Sequence, residues 1–297
     1  VYMKNSFSKM INNKVSLNNL DKFAAIIGSQ PSKGARSPIL WNSAFKAYGL
    51  NYLMVPLDVE KNNLFRLLDS LNYDKNFIGG AITTPHKINV AEWLGNKITK
   101  ESEKIGAVNC LYRNERGELT GTNTDGEAAV VSFEKKYKEI KNKFFLILGC
   151  GGAGKAVAAY FSYRLKNGKL YIASRNEKDK NYVKSLMNSQ WIHWSEIVEF
   201  LNEVNVVINC TSLGFGNQEN FSPINKEDLT KLKKDVIVYD IIYQPNYTRL
   251  LNFSKELGLK TLNGLEMNFE QAVLAYNYAL PGKNIDKTKK AMKEIIE

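Results

Sequence analysis

Short apolar runs bounded by polar turns alternate with helically spaced segments along most of this chain. Runs at 23–27, 52–57 and 77–82 read as buried strands. Between the first two, Ser37-Pro38 opens a predicted helix with Leu40, Ala44 and Tyr48 on one face. The serine serves as its N-cap and the proline takes the first helical position. Leu64, Leu67, Leu68 and Leu71 mark the next helix by their 3-4 spacing. Segments 107–112 and 118–122, joined through Asn114-Glu115-Arg116-Gly117, read as a hairpin. A helix starts at Thr124-Asp125-Gly126 and runs towards Tyr137, and a domain boundary is expected near Asp125. Later strands are predicted before Gly149 and at 169–174, 205–209 and 236–240. The helix from 264 towards 280 and an amphipathic one from 286 have no strand after them, so both are expected to return to the first domain. This alternation indicates an α/β protein with largely parallel sheets.

The apolar run at 144–148 leads into Gly149-Cys150-Gly151-Gly152-Ala153-Gly154, and a helix with closely spaced alanines follows. In a strand–turn–helix context, Gly149 permits the tight turn and Gly151 lets backbone approach a pyrophosphate. Gly154 lets the helix pack closely on the sheet. The helix N-terminus then presents free N–H groups to phosphates. About 20 residues past such glycines, an acidic residue holds the ribose 2′-hydroxyl of NAD. Here the next strand ends in Ser174-Arg175-Asn176, with Lys178 and Lys180 close by. A guanidinium and a hydroxyl suit a 2′-phosphate, which favours NADP(H) over NAD. The acidic Glu177 and Asp179 leave room for NAD.

Two earlier segments suggest proton transfer. In Thr83-Thr84-Pro85-His86-Lys87 the proline marks a helix start, placing Lys87 in a first turn whose dipole disfavours the ammonium form. A lysine so placed can accept a proton from an alcohol. Asp125 either faces the same cleft or merely caps its own helix, just as Lys87 is either catalytic or a solvated surface lysine. His86, Trp191, His193 and Trp194 are read as structural, the last three packing near a helix entry.

The 297 residues suit two domains, with 44% hydrophobic and 24% charged residues. The net charge of +11 is spread along the chain, and no nucleic-acid-reading motif accompanies it. It amounts to a lysine-rich surface that also gathers anionic ligands. No run is long enough to span a bilayer. Residues 1–20 are polar and lysine-bearing, so they read as an extension or an extra short helix rather than a secretory signal. Cys110, Cys150 and Cys210 lie far apart, arguing for a reducing, cytoplasmic setting without a disulfide framework. With His86 and His193 as the only histidines, no zinc site is expected.

Taken in order, Ser37-Pro38, Thr83-Thr84-Pro85-His86-Lys87, Gly106-Ala107-Val108-Asn109, Asn123-Thr124-Asp125, the glycine fingerprint and Asn209-Cys210-Thr211-Ser212-Leu213-Gly214 resemble the shikimate dehydrogenase family. So do Asp240-Ile241-Ile242-Tyr243-Gln244-Pro245 and Gly264-Leu265-Glu266-Met267 with Gln271. The resemblance runs from about Phe23 to the C-terminus. It implies an N-terminal α/β substrate-binding domain (1–125 with 264–297) and a C-terminal Rossmann NADP-binding domain (126–263), a cleft between them, and the last helices returning to the first domain. It implies reversible reduction of 3-dehydroshikimate to shikimate with NADPH, in the aromatic amino-acid pathway, by a monomer or homodimer. Neither a metal nor a nucleic-acid or membrane partner is implied. Lys87 and Asp125 match the catalytic pair, with Lys87 either an acid/base or a positive stabiliser of the developing alkoxide. Ser37, Thr83, Asn109, Tyr243 and Gln271 match substrate-contacting positions. Gly149, Gly151, Gly152, Ala153, Gly154, Ser174, Arg175 and Thr211 match cofactor positions, and Gly264 and Met267 match the nicotinamide end.

Three positions depart from the family pattern. Gly34-Ala35-Arg36-Ser37-Pro38 stands where His-Ser-x-Ser-Pro is usual, Ala81-Ile82-Thr83 where Asn-Val-Thr is usual, and Trp41-Asn42 where His-Asn is usual. Each lost hydrogen bond to a charged group is worth about 1.5–3 kcal/mol. Arg36 either swings toward the substrate carboxylate or points outward. The departures keep two alternatives open beside the main reading. One is a quinate/shikimate dehydrogenase with an altered cyclic hydroxy-acid substrate. The other is a catalytically silent, nucleotide-binding regulatory paralogue, against which the retained Lys87 and Asp125 argue.

Overall fold

The alternating pattern resolves into two separate sheets in a computed structural model, which describes residues 7–296. One unit runs to Thr124 and resumes at Gln271; the other is Asp125–Glu270.

The first unit contains β1 (Lys22–Gly28), α1 (Ser37–Ala47), β2 (Tyr52–Asp58), α2 (Lys61–Tyr73), β3 (Phe77–Ile82), α3 (Lys87–Leu94), α4 (Lys100–Ile105), β4 (Cys110–Arg113) and β5 (Leu119–Thr122). Its sheet has the order β2-β1-β3-β4-β5. The first three strands pair in parallel, and the predicted hairpin β4–β5 adds two antiparallel strands beside β3. The sheet is therefore mixed, because a four-residue turn can only return the chain antiparallel. Pro56 is accommodated because β2 lies at the sheet edge, where a missing N–H is tolerated. The four leucines of α2 are fully buried against this sheet, each worth about 1.5–3 kcal/mol over exposure.

One expectation needs correction. Ser37 does not cap α1: Arg36 already has helical dihedrals and accepts from Leu40 N–H at 3.2 Å, so Ser37 is the first helical residue. Of the two readings of residues 1–20, an extension or an extra short helix, the described part supports the extension, since 7–20 holds no helix and 1–6 lie outside the described residues. Instead 7–20 is a turn followed by an irregular strap. Phe7 is buried with its ring 6.0 Å from that of Phe23, and Met10, Ile11, Val15 and Leu17 rest on the same core. Apolar side chains anchor the strap without helical periodicity.

The second unit contains α5 (Asp125–Tyr137), β6 (Phe144–Leu148), α6 (Gly152–Arg164), β7 (Lys169–Ser174), α7 (Asp179–Lys184), β8 (Ser189–His193), α8 (Ile197–Phe200), β9 (Val206–Asn209), α9 (Lys226–Leu229), β10 (Ile237–Asp240), α10 (Arg249–Glu256) and β11 (Lys260–Leu262). The order β11-β10-β9-β6-β7-β8, parallel throughout, is that of a doubly wound dinucleotide-binding sheet. Short strands β8 and β11 extend it beyond the expected set. The rings of Phe133, Phe145 and Phe161 lie 5.1–5.8 Å apart and hold α5 and α6 on β6.

Two helices end the chain, α11 (Leu265–Ala279) and α12 (Ile285–Glu294). As expected, α12 returns to the first unit. Ser43 Oγ donates to Ala291 C=O at 3.0 Å and Tyr48 OH to Asn284 C=O at 2.7 Å. Among the described residues no helix is long and apolar enough to cross a membrane.

Candidate active site

Strand order places the glycine fingerprint where a ligand is expected. β6 pairs with β7 on one side and β9 on the other, so its C-terminal end is the switch point of the sheet. Gly149 leaves β6 with φ of 99°, a left-handed geometry that only glycine adopts without strain. A Cβ on Gly154 would lie 2.1 Å from the Gly149 carbonyl, so the first turn of α6 closes on the loop only because that atom is missing. Around Gly151 a Cβ would meet nothing within 4 Å. Gly151 is exposed, and with Gly152 and Ala153 it forms an open backbone cradle at the N-terminus of a 13-residue helix. That cradle fits a pyrophosphate.

The loop after β9 is tied to the end of β10. Asn209 Oδ1 accepts from Thr211 N–H (3.0 Å) and the Thr211 hydroxyl (2.7 Å), and Asn209 Nδ2 donates to both carboxyl oxygens of Asp240 at 3.1 Å. Asp240 also accepts from Thr248 Oγ1 (2.7 Å) and Ile242 N–H (3.1 Å). Burial nevertheless dominates and lifts its carboxyl from the ordinary 3.8 to about 6. The folded state therefore holds this proton more tightly than the unfolded chain does. The stability it adds is complete below pH 4 and is lost as pH rises through 6. Between pH 4 and pH 7, urea unfolding should show the wild type losing about 2–3 kcal/mol relative to Asp240→Asn. A wild type that gained stability relative to Asp240→Asn as pH rose would contradict this sign.

At the end of β7, Ser174 is buried and Arg175 is exposed. The Ser174 hydroxyl was expected to serve a 2′-phosphate, but it already donates to Asn176 C=O at 3.3 Å and accepts from Trp191 Nε1 at 2.9 Å. Beside it Arg175 offers an exposed guanidinium. Trp191 also carries Lys180, whose Nζ sits 4.4 Å from the ring centroid and 3.3 Å from Glu177. This role of Trp191 went unseen in the sequence. Its one signal was an indole in the strand that follows the Ser174 strand. His193 and Trp194 do mark a helix entry, with His193 Nδ1 accepting from Ser195 N–H at 3.3 Å. Burial pushes the Cys150 thiol up to about 12 and raises Cys210 as well, which keeps both protonated.

Gly264 and Met267 are both buried where α11 begins. A Cβ on Gly264 would lie 2.0 Å from Ile241 C=O, and Gly264 N–H donates to Ile242 C=O at 3.0 Å. Tyr243, half-buried, follows in the loop after β10. Asp125 is buried as the first residue of α5.

In the first unit, β3 stops at Ile82 and Thr83 N–H closes the ladder on Ile27 C=O at 2.9 Å. Pro85 does not begin the helix. It lies in the turn at 83–86, and Lys87, half-buried, is the first residue of α3. The Lys87 carbonyl accepts from Val108 N–H at 2.9 Å, and the buried His86 ring donates from Nε2 to Val59 C=O at 2.9 Å. The peptide carrying the lysine is thus held on both sides.

Asn109, also buried, is locked to Thr124. Its Oδ1 accepts from Thr124 N–H at 2.7 Å, and its Nδ2 donates to the Thr124 hydroxyl at 3.0 Å. That hydroxyl also reaches Gln271 C=O at 3.2 Å, so Asn109 and Gln271 are joined through one threonine. Ser37 and Gln271 are buried and Thr83 is half-buried. Trp41 is not a pocket residue. It is fully buried, its ring 6.0 Å from Phe45 and 5.3 Å from Tyr276, so an indole replaces imidazole in the core. Among the described residues no cluster of three His, Cys, Asp or Glu has the arrangement of a metal site.

Known proteins share this architecture. The family model described as the shikimate dehydrogenase substrate binding domain matches residues 26–111. A protein of Methanocaldococcus jannaschii named shikimate dehydrogenase (NADP(+)) is 35% identical over 267 residues, 88% of this chain and 92% of that one. Its namesake in Carboxydothermus hydrogenoformans is 36% identical over the same shares. A crystal structure of a shikimate dehydrogenase in complex with NADP+ superposes with a TM-score of 0.79 at 32% identity, covering 93% of this chain and 96% of that one. A Listeria monocytogenes shikimate 5-dehydrogenase in complex with shikimate and NAD gives 0.77 at 25% identity, covering 97% and 99%.

Proposed function

This chain belongs to the shikimate dehydrogenase family, and from that premise we propose that it reversibly reduces 3-dehydroshikimate to shikimate with NADPH. One observation carries the reading: the chain joins a phosphate cradle at a sheet switch point to a unit in which a half-buried lysine opens α3.

The cofactor, when bound, supplies the hydride acceptor for the alcohol or the hydride donor for the ketone. The backbone of Gly149, Gly151, Gly152, Ala153 and Gly154 would hold its pyrophosphate and Arg175 its 2′-phosphate. Thr211, Gly264 and Met267 would line the rest of its path. In the oxidative direction Lys87 Nζ takes the proton that leaves the substrate hydroxyl, and in reverse it returns that proton to the nascent alkoxide. Asp125 is the second member of the pair, keeping the lysine and a substrate hydroxyl in register. Ser37, Thr83, Asn109, Tyr243 and Gln271 hold the substrate through its carboxylate and hydroxyls. We assign no protein, nucleic-acid or membrane partner, and place the enzyme in the cytoplasm as a monomer or homodimer.

The loss of a hydroxyl at Ala35 bears on affinity for the acid rather than on the chemistry. Incubation with shikimate and NADP+ should yield a product two hydrogens lighter by mass spectrometry. Conversion of quinate alone would shift the assignment to that acid, and conversion of neither would end it.

A further inference from the structure

One buried carboxylate of the first unit has no part in the mechanism above. Asp58 ends β2 and is buried, yet both of its side-chain oxygens face the single helical turn Pro31–Lys33. Oδ1 accepts from Ser32 N–H at 2.9 Å and Oδ2 accepts from the Ser32 hydroxyl at 2.5 Å. The N-terminal strap pins the backbone of Asp58. Asn12 N–H donates to Asp58 C=O at 2.8 Å, and Asn13 Oδ1 accepts from Asp58 N–H at 2.8 Å. Asn13 Nδ2 also donates to Pro56 C=O at 2.9 Å. The strap thus occupies backbone groups that an edge strand leaves open.

Ser32 precedes Ser37 by five residues. Ala35 N–H donates to Pro31 C=O at 3.0 Å, so the chain from 31 to 35 is a closed loop leading straight into α1. Its outer residues Ser32, Lys33 and Gly34 are exposed and bury no apolar anchor. Beyond Ser37, Asn42 grips the same strand from the helix: its Oδ1 accepts from Met54 N–H at 2.7 Å and its Nδ2 donates to Met54 C=O at 3.2 Å. Strand β2 therefore holds the segment before and after Ser37. A carboxylate receiving a paired N–H and O–H fixes both the position and the orientation of what it binds.

We propose that Asp58, braced by the Asn12–Asn13 strap, is a positioning residue that sets the Ser37 hydroxyl toward the substrate carboxylate by clamping Ser32. The proposal rests on the reading of Ser37 as a substrate-binding hydroxyl and deepens it. Asp58 touches no substrate itself.

The test is steady-state kinetics with shikimate and NADP+ on the wild type, Asp58→Ala, Ser32→Ala, their double variant and Asp58→Asn. Either single alanine variant should raise KM for shikimate about 3- to 10-fold, with kcat and KM for NADP+ within about twofold of wild type. The double variant should be no worse than either single one, because both remove the same contact. Asp58→Asn should recover most of the affinity, since its carbonyl still accepts from Ser32 N–H while its amide donates to the hydroxyl. Ser32 is exposed, so Ser32→Ala tests the clamp even where Asp58→Ala fails to fold. Unchanged KM in Ser32→Ala, multiplying effects in the double variant, or a fall confined to kcat would overturn the proposal. A wild type that converts no shikimate would instead remove the functional reading, and the proposal with it.

Discussion

Replacing Lys87 by alanine should lower kcat for shikimate oxidation by about 10²- to 10⁴-fold while leaving KM for shikimate within about threefold. The expectation comes from where the residue stands. Lys87 opens α3, with its own carbonyl held by Val108 N–H and the preceding His86 ring held on Val59. These contacts fix the backbone whatever side chain position 87 carries, so the alanine variant should fold and bind. What disappears is the amine that moves the proton. Lys87→Arg separates the two roles open to this residue. A guanidinium keeps the positive charge that would stabilise a developing alkoxide, but it does not give up a proton near neutral pH. A proton relay predicts that arginine is nearly as poor as alanine. An electrostatic role predicts that arginine restores most of kcat. Wild-type turnover in Lys87→Ala would contradict both.

The second large effect is on cofactor choice. Arg175→Ala should weaken NADP+ binding by about 10- to 100-fold, corresponding to the 1.5–3 kcal/mol of a hydrogen bond to a charged group, and leave NAD+ binding unchanged. The neighbouring Ser174 hydroxyl donates to Asn176 C=O and accepts from Trp191. Lys180 is drawn toward the Trp191 ring and Glu177. Arg175 is the first residue past the strand end and is exposed, and its guanidinium matches a phosphate bidentately where the ammonium of Lys178 does not, which is why its truncation should register so strongly. Direct titration of both nucleotides reads the effect without turnover. Equal weakening of the two would place Arg175 on a part of the cofactor they share.

Much of this was legible from residue pattern alone. The strands at 77–82 and 169–174 and the helix from Asp125 to Tyr137 have the bounds that periodicity and punctuation predict. The glycine fingerprint lies at the end of β6 because strand–turn–helix spacing leaves little freedom in where such a loop can form. Other features depend on pairings between residues distant in the chain. Trp191 reaches Ser174 across 17 positions and Asp58 reaches Ser32 across 26. Neither pair has a local pattern, since both form only when neighbouring strands bring their ends together. Trp41 misled for a related reason. Its position in a motif suggested a pocket, while the aromatic packing that buries it comes partly from Tyr276, more than 200 residues later. Strand β8 escaped notice because Ser189–His193 is short and mostly polar, an edge that borrows its order from β7.

Initial rates of NADP+ reduction by shikimate, set beside those of quinate and of NAD+, test the central claim most directly. The account predicts that shikimate with NADP+ has the highest kcat/KM of the four combinations. Absence of turnover with shikimate, or a kcat/KM for quinate with NAD+ above that for shikimate with NADP+, would contradict it.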